Sequence, residues 1–290
     1  MEAQLDLLRT TGDQFTDEVR RSNRLPLPGI YMAGDAAKPA LYDARIIPTI
    51  PAMIAPDSHV SRALSEIRPG LSTTDNASET ISAWLAGDGI TLGFSGYGTG
   101  GGYGYGAEYD SIDEIFTHCA ATGLSIDGIV DGATGYGVPG LSGLLAQKHR
   151  LTTMGFAPLR SLRGAATRDT FTVVGEEFGD EAPALGATPD VLIALGGGPN
   201  AEKEVNAALS LGSLVILAAV KAYPDSSVVY LPERSAEARA AQAAERLVVC
   251  TSIDGIKSVL DAVRQDPSLA QGNREARGAH LNRVLATRPA

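Results

Sequence analysis

The sequence has few of the residues that hold small secreted domains or metal sites together. Only two of its 290 residues are cysteines, Cys119 and Cys250, and only four are histidines. Two such distant cysteines form neither a disulfide framework nor a metal-ligand spacing, and we expect both to be buried small apolar residues. No histidine pairs with a serine or cysteine in a nucleophile motif, and no cluster has metal-ligand spacing. We therefore predict no metal and no cofactor.

Basic residues are also scarce, because 24 lysines and arginines face 34 aspartates and glutamates, for a net charge of −10. Such a chain repels nucleic acid and anionic membranes unless its bases are concentrated locally, and no basic run does this. No apolar stretch reaches the roughly 20 residues of a spanning helix, and the N-terminus is charged rather than signal-like. We expect a cytoplasmic protein without a nucleic-acid or membrane partner.

Prolines divide the chain into two parts. Their density between residues 25 and 70 disfavours long helices and central strands. We predict that residues 1–88 form a helical and proline-rich extension that packs on the core, with helices at 58–67 and 77–85 and short strands at 29–32 and 45–47. Residues 89–290 are predicted to form one α/β domain.

Within that second part, apolar strands alternate with helical periodicity, which is typical of an α/β protein with a doubly wound, mainly parallel sheet. Ligands of such sheets bind beyond the carboxyl ends of the strands. The predicted strands lie at 90–95, 126–130, 152–157, 171–174, 191–195, 214–219 and 247–250. The predicted helices lie at about 111–121, 139–149, 201–211, 234–244 and 254–264.

The segment after the strand at 191–195 is the centre of the prediction. Five apolar residues in a row indicate a strand buried on both faces, and it ends at Gly196, Gly197 and Gly198. Glycines let a ligand approach the main chain closely. A helix then begins near Asn200, and its free N–H groups and positive dipole end favour an anion.

Two more glycine-rich loops follow predicted strands, the first at residues 96–106 and the second at residues 131–137. The first suits either a flexible linker or a binding loop, and its interleaved tyrosines favour a loop that stacks on a base or closes over a sugar. In the second, Asp131 and Thr134 are candidates for ribose hydroxyls, although simple turn chemistry also explains them. Besides Thr134, the binding residues predicted in these loops are Gly96, Gly98, Thr99, Gly100, Gly101, Gly132 and Gly135.

Two kinds of charged side chain complete the predicted site. Arg160, Arg163 and Arg168 follow a neighbouring strand, where they suit either a phosphate clamp or a solvated surface, and we choose Arg160 and Arg163 as the clamp. Glu204 lies in the first turn of the helix at 201–211, at the edge of its apolar face. There it is placed to stabilise an oxocarbenium-like centre or take a proton from a sugar, or simply to compensate the helix dipole.

The order of these motifs resembles the SLOG superfamily, which includes the lonely-guy phosphoribohydrolases, over about residues 89–265. The residues of the resemblance are the first glycine loop, the segments 131–137 and 155–158, and Leu-Gly-Gly-Gly-Pro-Asn-Ala-Glu-Lys-Glu at 195–204. The family loop reads Pro-Gly-Gly-x-Gly-Thr-x-x-Glu, so Glu204 matches its glutamate, whereas Asn200 and Ala201 stand at its third glycine and threonine. The family's Arg-Lys pair, expected before the strand at 191–195, has no counterpart in 179–188.

The resemblance implies that residues 89–290 are a Rossmann-like nucleotide-binding domain, that the protein is a homodimer, and that it hydrolyses the N-glycosidic bond of a nucleoside 5′-monophosphate with Glu204 as the catalytic residue. The alternative is a nucleotide sensor or carrier that lacks the family's basic catalytic partner and does not catalyse. A dehydrogenase is a weaker third hypothesis, because the first loop contains Gly-x-Gly-x-x-Gly only with broken spacing.

Overall fold

Seven short apolar segments form one parallel sheet in the computed structural model, which describes residues 74–97, 105–134, 137–158, 161, 168–218 and 228–286. Every pair of neighbouring strands is parallel, and the order is β4-β3-β2-β1-β5-β6-β7. The strands are β1 (Ile90–Gly96), β2 (Ile126–Asp131), β3 (Thr153–Ala157), β4 (Thr170–Val173), β5 (Val191–Leu195), β6 (Leu214–Ala218) and β7 (Leu247–Cys250).

The strand order determines where a crevice can form at the edge of the sheet. From β1 the chain moves outward through β2 and β3 to β4, then returns to place β5 on the other side of β1 and moves outward again to β7. The direction of winding therefore reverses between β1 and β5. In doubly wound sheets a crevice opens at the carboxyl ends of the strands at this switch point.

Helices cover both faces of the sheet. Apolar residues of α2, α3 and α8 pack on one face, and those of α1, α4, α5, α7 and α10 pack on the other. The helices are α1 (Thr74–Ala86), α2 (Tyr105–Thr122), α3 (Gly137–Lys148), α4 (Ala182–Ala187), α5 (Pro199–Ser210), α6 (Leu231–Arg234), α7 (Ala236–Ala243), α8 (Ile253–Gln265), α9 (Ser268–Gln271) and α10 (Arg274–Ala286).

The predicted α/β class and all seven strands are confirmed, with strand ends that differ by about one residue. The helix predicted at 234–244 is α7, which begins two residues later because Ser235 ends α6 and caps α7 through its hydroxyl. Neither α4 nor α10 was predicted. The elements predicted at 29–32, 45–47 and 58–67 lie outside the described residues, while the helix predicted at 77–85 is α1.

Both cysteines are buried and unpaired, as predicted. No helix in the described ranges is long and apolar enough to span a membrane. The division of the chain at residue 88 and the homodimer stay predictions, because the structure contains one chain and describes it from residue 74 onward.

A buried ionic cluster attaches the last helix to the amino-terminal edge of the sheet. Asp190, directly before β5, accepts a hydrogen bond from the backbone of Thr91 at 2.9 Å. Arg274 donates to its two oxygens at 2.9 and 2.6 Å, and the fully buried Arg277 pairs with it as well. Arg274 also donates to the carbonyl oxygens of Gly87 and Gly89, each at 2.5 Å. The cluster therefore joins α10, β5 and the turn between α1 and β1.

We expect Arg277→Met to lower the free energy of unfolding by roughly 3 kcal/mol, because it removes one partner of a buried ion pair. Arg283→Met on the same helix is the matched control, since Arg283 is exposed and its loss should change stability by about 0.5 kcal/mol or less. Urea denaturation followed by circular dichroism measures both. Equal effects of the two substitutions would show that the cluster contributes nothing specific to stability.

Candidate functional site

The three predicted loops begin side by side at the carboxyl edge of the sheet. They follow β2, β1 and β5, which are neighbours in that order. The backbone N–H of Val138, at the start of α3, donates to the carbonyl oxygen of Tyr97 at 2.9 Å and so joins the first two loops. A Cβ atom placed on Gly197 would lie 3.6 Å from the Cα atom of Gly96, so the first and third loops are adjacent too.

Several of the predicted site residues lie outside the described part of the chain. The structure therefore places Gly96 and Tyr97 at the start of the first loop, most of the second loop and all of the third. The residues that it leaves undescribed are Gly98, Thr99, Gly100, Gly101, Gly135, Arg160 and Arg163.

The three glycines of the third loop have different roles. Gly196 and Gly197 have φ angles of +72° and +131°, which side-chain-bearing residues rarely adopt. A Cβ atom on Gly197 would also lie 2.3 Å from that of Ala201. Gly198 has an ordinary φ of −108°, and of the described residues a Cβ atom there would meet only Tyr97, at 4.0 Å. The fold itself requires Gly197, whereas Gly198 leaves open space in front of α5.

That open space adjoins the start of a helix that has no side-chain cap. Gly198 is the N-cap of α5 and Pro199 is the first helical residue. The N–H groups of Asn200 and Ala201 have no acceptor within the helix, because no turn precedes them. Together with the helix dipole, these donors favour an anion at Gly198.

Close packing explains why residue 96 is a glycine, whereas the described neighbours of Gly132 lie farther away. A Cβ atom on Gly96 would lie 2.6 Å from both the carbonyl oxygen of Leu195 and a methyl group of Val138. On Gly132 it would meet no described atom closer than 3.9 Å. Gly132 and Thr134 are both partly exposed. Of the described site residues predicted in the first two loops, Gly132 and Thr134 are therefore the ones that a ligand can reach.

A buried ion pair shapes the second loop. Asp131, fully buried at the end of β2, accepts hydrogen bonds from the Arg168 guanidinium at 3.0 Å and the Ser142 hydroxyl at 2.9 Å. It also accepts from the backbone N–H of Ala133 at 2.7 Å, which stabilises the positive φ of 54° at that residue. Arg168 is 1 % exposed and donates to the carbonyl oxygen of Pro139 at 2.7 Å. Asp131 and Arg168 therefore bind each other, rather than a ribose hydroxyl and a phosphate as we considered from the sequence.

Glu204 lies on α5 just behind the third loop. Its side chain is only 8 % exposed, and the hydroxyl of Ser95, the penultimate residue of β1, donates to its Oε2 atom at 2.5 Å. Burial raises the pKa of Glu204 to about 8, although the Ser95 hydrogen bond opposes the shift; the negative charges of Glu181 and Asp131 add to it. At neutral pH this side chain is thus a neutral acid, not the carboxylate expected from its place in the helix.

The residues around Glu204 supply no positive charge. In the described ranges, no lysine or arginine forms a hydrogen bond or ion pair with it. The segment without basic residues at 179–188 forms α4 and the turn before it. There Glu181 is buried and accepts from the backbone N–H of Gly179 at 2.7 Å. The Nζ atom of Lys203 lies beside Gly179.

Arg234 is a basic residue of the site that the sequence did not reveal. Its Nη2 atom donates to Oε1 of Glu202, in the first turn of α5, at 2.5 Å. Their side chains are 51 % and 23 % exposed. Arg234 closely follows Val228, which packs beside Gly197. In the sequence, Arg234 could be connected with the site only because the segment after β6 must start at the same edge of the sheet as the three glycine-rich loops.

The described residues include no group of three or more histidine, cysteine, aspartate or glutamate side chains that could hold a metal. The structure places the first N–H groups of α5, the Ser95 hydroxyl, Arg234 and the acidic Glu202 and Glu204 at this edge of the sheet. This arrangement suits an anionic organic ligand better than a cation.

We expect Glu204→Gln to change how stability depends on pH. The pKa of Glu204 is about 8 in the folded protein against an ordinary value of 4.5, so between these values the folded state holds a proton that the unfolded chain has lost. The free energy of unfolding of the natural protein should therefore fall relative to the variant as pH rises from 5 to 8, by up to about 1.4 kcal/mol per pH unit.

Urea denaturation at intervals of half a pH unit measures this difference. Glu237→Gln is the control, because Glu237 is an exposed glutamate at the start of α7 and its loss should matter little at any pH. A constant difference between Glu204→Gln and the natural protein across pH 5–8 would show that Glu204 is ionised throughout.

No family model matches the sequence. No curated protein matches it either. Among solved structures, the chain is similar to the molybdenum cofactor binding protein from the phototrophic bacterium Rippkaea orientalis, with 18% identity and a TM-score of 0.45 over 60% of this chain and 97% of that chain. It is also similar to the molybdenum cofactor carrier protein from Chlamydomonas reinhardtii, with 20% identity and a TM-score of 0.45 over 61% and 99%. At these values the likeness implies nothing about what this chain binds.

Proposed function

We propose that this protein binds a nucleotide in the crevice between the carboxyl ends of β1 and β5 without hydrolysing it. The observation that carries the proposal is the space at Gly198 that the described residues leave open, directly in front of the start of α5, which has no side-chain cap. A phosphate at that point would accept hydrogen bonds from main-chain N–H groups and interact favourably with the helix dipole.

Arg234 supports the proposal by supplying positive charge. A chain with a net charge of −10 repels an anion, so a local cation is needed beside the loop. In its ion pair with Glu202, the Arg234 side chain is half-exposed. Exposed ion pairs contribute little stability. A doubly charged phosphate is therefore able to compete with Glu202 for the guanidinium.

The state of Glu204 argues against hydrolysis. An oxocarbenium-like transition state needs a negative carboxylate beside the sugar, and Glu204 is buried and neutral at pH 7. Ionising it would bring a third negative charge near Glu181 and Asp131. The described residues around it offer no basic group to compensate for that charge.

Hydrolysis of the N-glycosidic bond is the second candidate, because a carboxylic acid that is still protonated at neutral pH is suited to protonate a departing base. Incubating the protein with nucleoside 5′-monophosphates and dinucleotides and measuring free base separates the two functions. Release of base by the natural protein but not by Glu204→Gln would establish hydrolysis, and no release alongside measurable binding supports a sensor or carrier.

We expect Gly198→Val to abolish nucleotide binding while leaving the fold intact. Its φ of −108° suits valine, and the new side chain would occupy the space in front of α5. Isothermal titration calorimetry with nucleoside 5′-monophosphates measures binding, and thermal unfolding checks the fold. Gly197→Val would be uninformative, because its φ of +131° and its contact with Ala201 would damage the loop itself.

Arg234→Ala should weaken binding of the same nucleotides about tenfold, the loss of one charge-assisted contact of about 1.4 kcal/mol. Arg264→Ala is the control, because it removes the same charge from the end of α8, away from the loops. Unchanged affinity in a folded Gly198→Val protein would exclude the crevice as the binding site. Equal effects of Arg234→Ala and Arg264→Ala would exclude a specific contact by Arg234.

A further inference from the structure

The two oxygen atoms of Glu204 have different surroundings. Oε2 accepts the hydrogen bond from the Ser95 hydroxyl, for which the structure gives no other acceptor. Oε1 has no hydrogen-bond partner in the described part of the chain, although the side chain is more than nine-tenths buried. Because Ser95 directly precedes Gly96, this carboxyl group lies at the carboxyl edge of the sheet, where the first loop begins.

The groups that face Glu204 hold the proton on it. Glu181 faces it from the turn before α4, and Asp131 faces it from the end of β2, although Arg168 pairs with Asp131. The group of β1 that faces Glu204 is the neutral hydroxyl of Ser95. Burial and these acidic neighbours raise the pKa of Glu204 to about 8. Taking Ser95 as the donor to Oε2, we place the proton of Glu204 on Oε1.

We infer that Glu204 is a specificity-determining residue that binds the ligand as a neutral acid, donating a hydrogen bond from Oε1 to an acceptor atom of the nucleotide. The inference rests on the proposed function and adds the chemistry of the group next to the phosphate. A carbonyl oxygen, an ether oxygen or an unprotonated ring nitrogen satisfies this donor. A group that itself carries only donor hydrogens does not, because the buried acid would then face a second donor.

Calorimetry between pH 6.5 and 9.5 tests this role, with nucleoside 5′-monophosphates as probes. The affinity of the natural protein should fall about tenfold per pH unit above 8, because an ionised Glu204 repels the acceptor. Glu204→Gln keeps an N–H donor that does not titrate, so its affinity should lack this fall. The ratio of the two affinities at each pH removes the titration of the nucleotide itself.

Inorganic phosphate is the matched probe, since it occupies the glycine loop without a base or sugar. Its affinity should show the same pH dependence in the natural protein and in Glu204→Gln. Ser95→Ala is the second variant: because the Ser95 hydrogen bond lowers the pKa of Glu204, its loss should move the fall in nucleotide affinity to higher pH. A role of Glu204 in stability alone would move none of these nucleotide-specific profiles.

Each outcome decides between the hypotheses. Nucleotide binding with the same pH profile in the natural protein and in Glu204→Gln overturns the inference and leaves the proposed function standing. An equal difference between the two proteins for inorganic phosphate also overturns it, because Glu204 would then act on the phosphate loop. Absence of binding by nucleotide and phosphate at every pH overturns the proposed function and this inference with it.

Discussion

The close approach of β1 and β5 at their carboxyl ends is the contact on which the rest of the site depends. Gly96 makes it possible, because any side chain there would collide with the carbonyl oxygen of Leu195. The same approach brings Ser95 of β1 to Glu204 of α5, and sets Tyr97 beside Gly198. Strand order and the absence of one side chain therefore place the helix start, the acid and the first loop around a single crevice.

Buried arginines show how an acidic protein uses its few cations. Arg168 holds the second loop through Asp131, and Arg277 holds the last helix through Asp190. Both are almost fully buried and cannot meet a ligand. Arg234, which is half-exposed and lies at the first turn of α5, is a described cation that remains accessible at the crevice. Structural ion pairs and ligand binding thus depend on different arginines.

The sequence predicted the sheet well, because strands buried on both faces appear as continuous apolar runs such as 191–195. It did not predict α4, whose six residues include a proline and a glycine, or α10, which lacks a clear apolar stripe. Arg274 and Arg277 attach α10 in addition to the apolar contacts of Leu281, and a composition argument assigns arginines to the surface.

For the site, the sequence located Glu204 and the third loop but not their chemical state. The protonation of Glu204 is set by residues distant in sequence, with Ser95 109 positions away. Nor could the sequence separate Gly197, which the fold requires, from Gly198, which leaves room for a ligand. Such distinctions depend on which atoms meet after folding.

The most direct test of the account is the backbone amide chemical shifts of nitrogen-labelled, deuterated protein during titration with a nucleoside 5′-monophosphate. If the phosphate lies at the start of α5, the largest changes will occur at the amides of Gly198, Asn200 and Ala201. Saturable changes elsewhere in the protein, with these three amides unaffected, would contradict a binding site between β1 and β5.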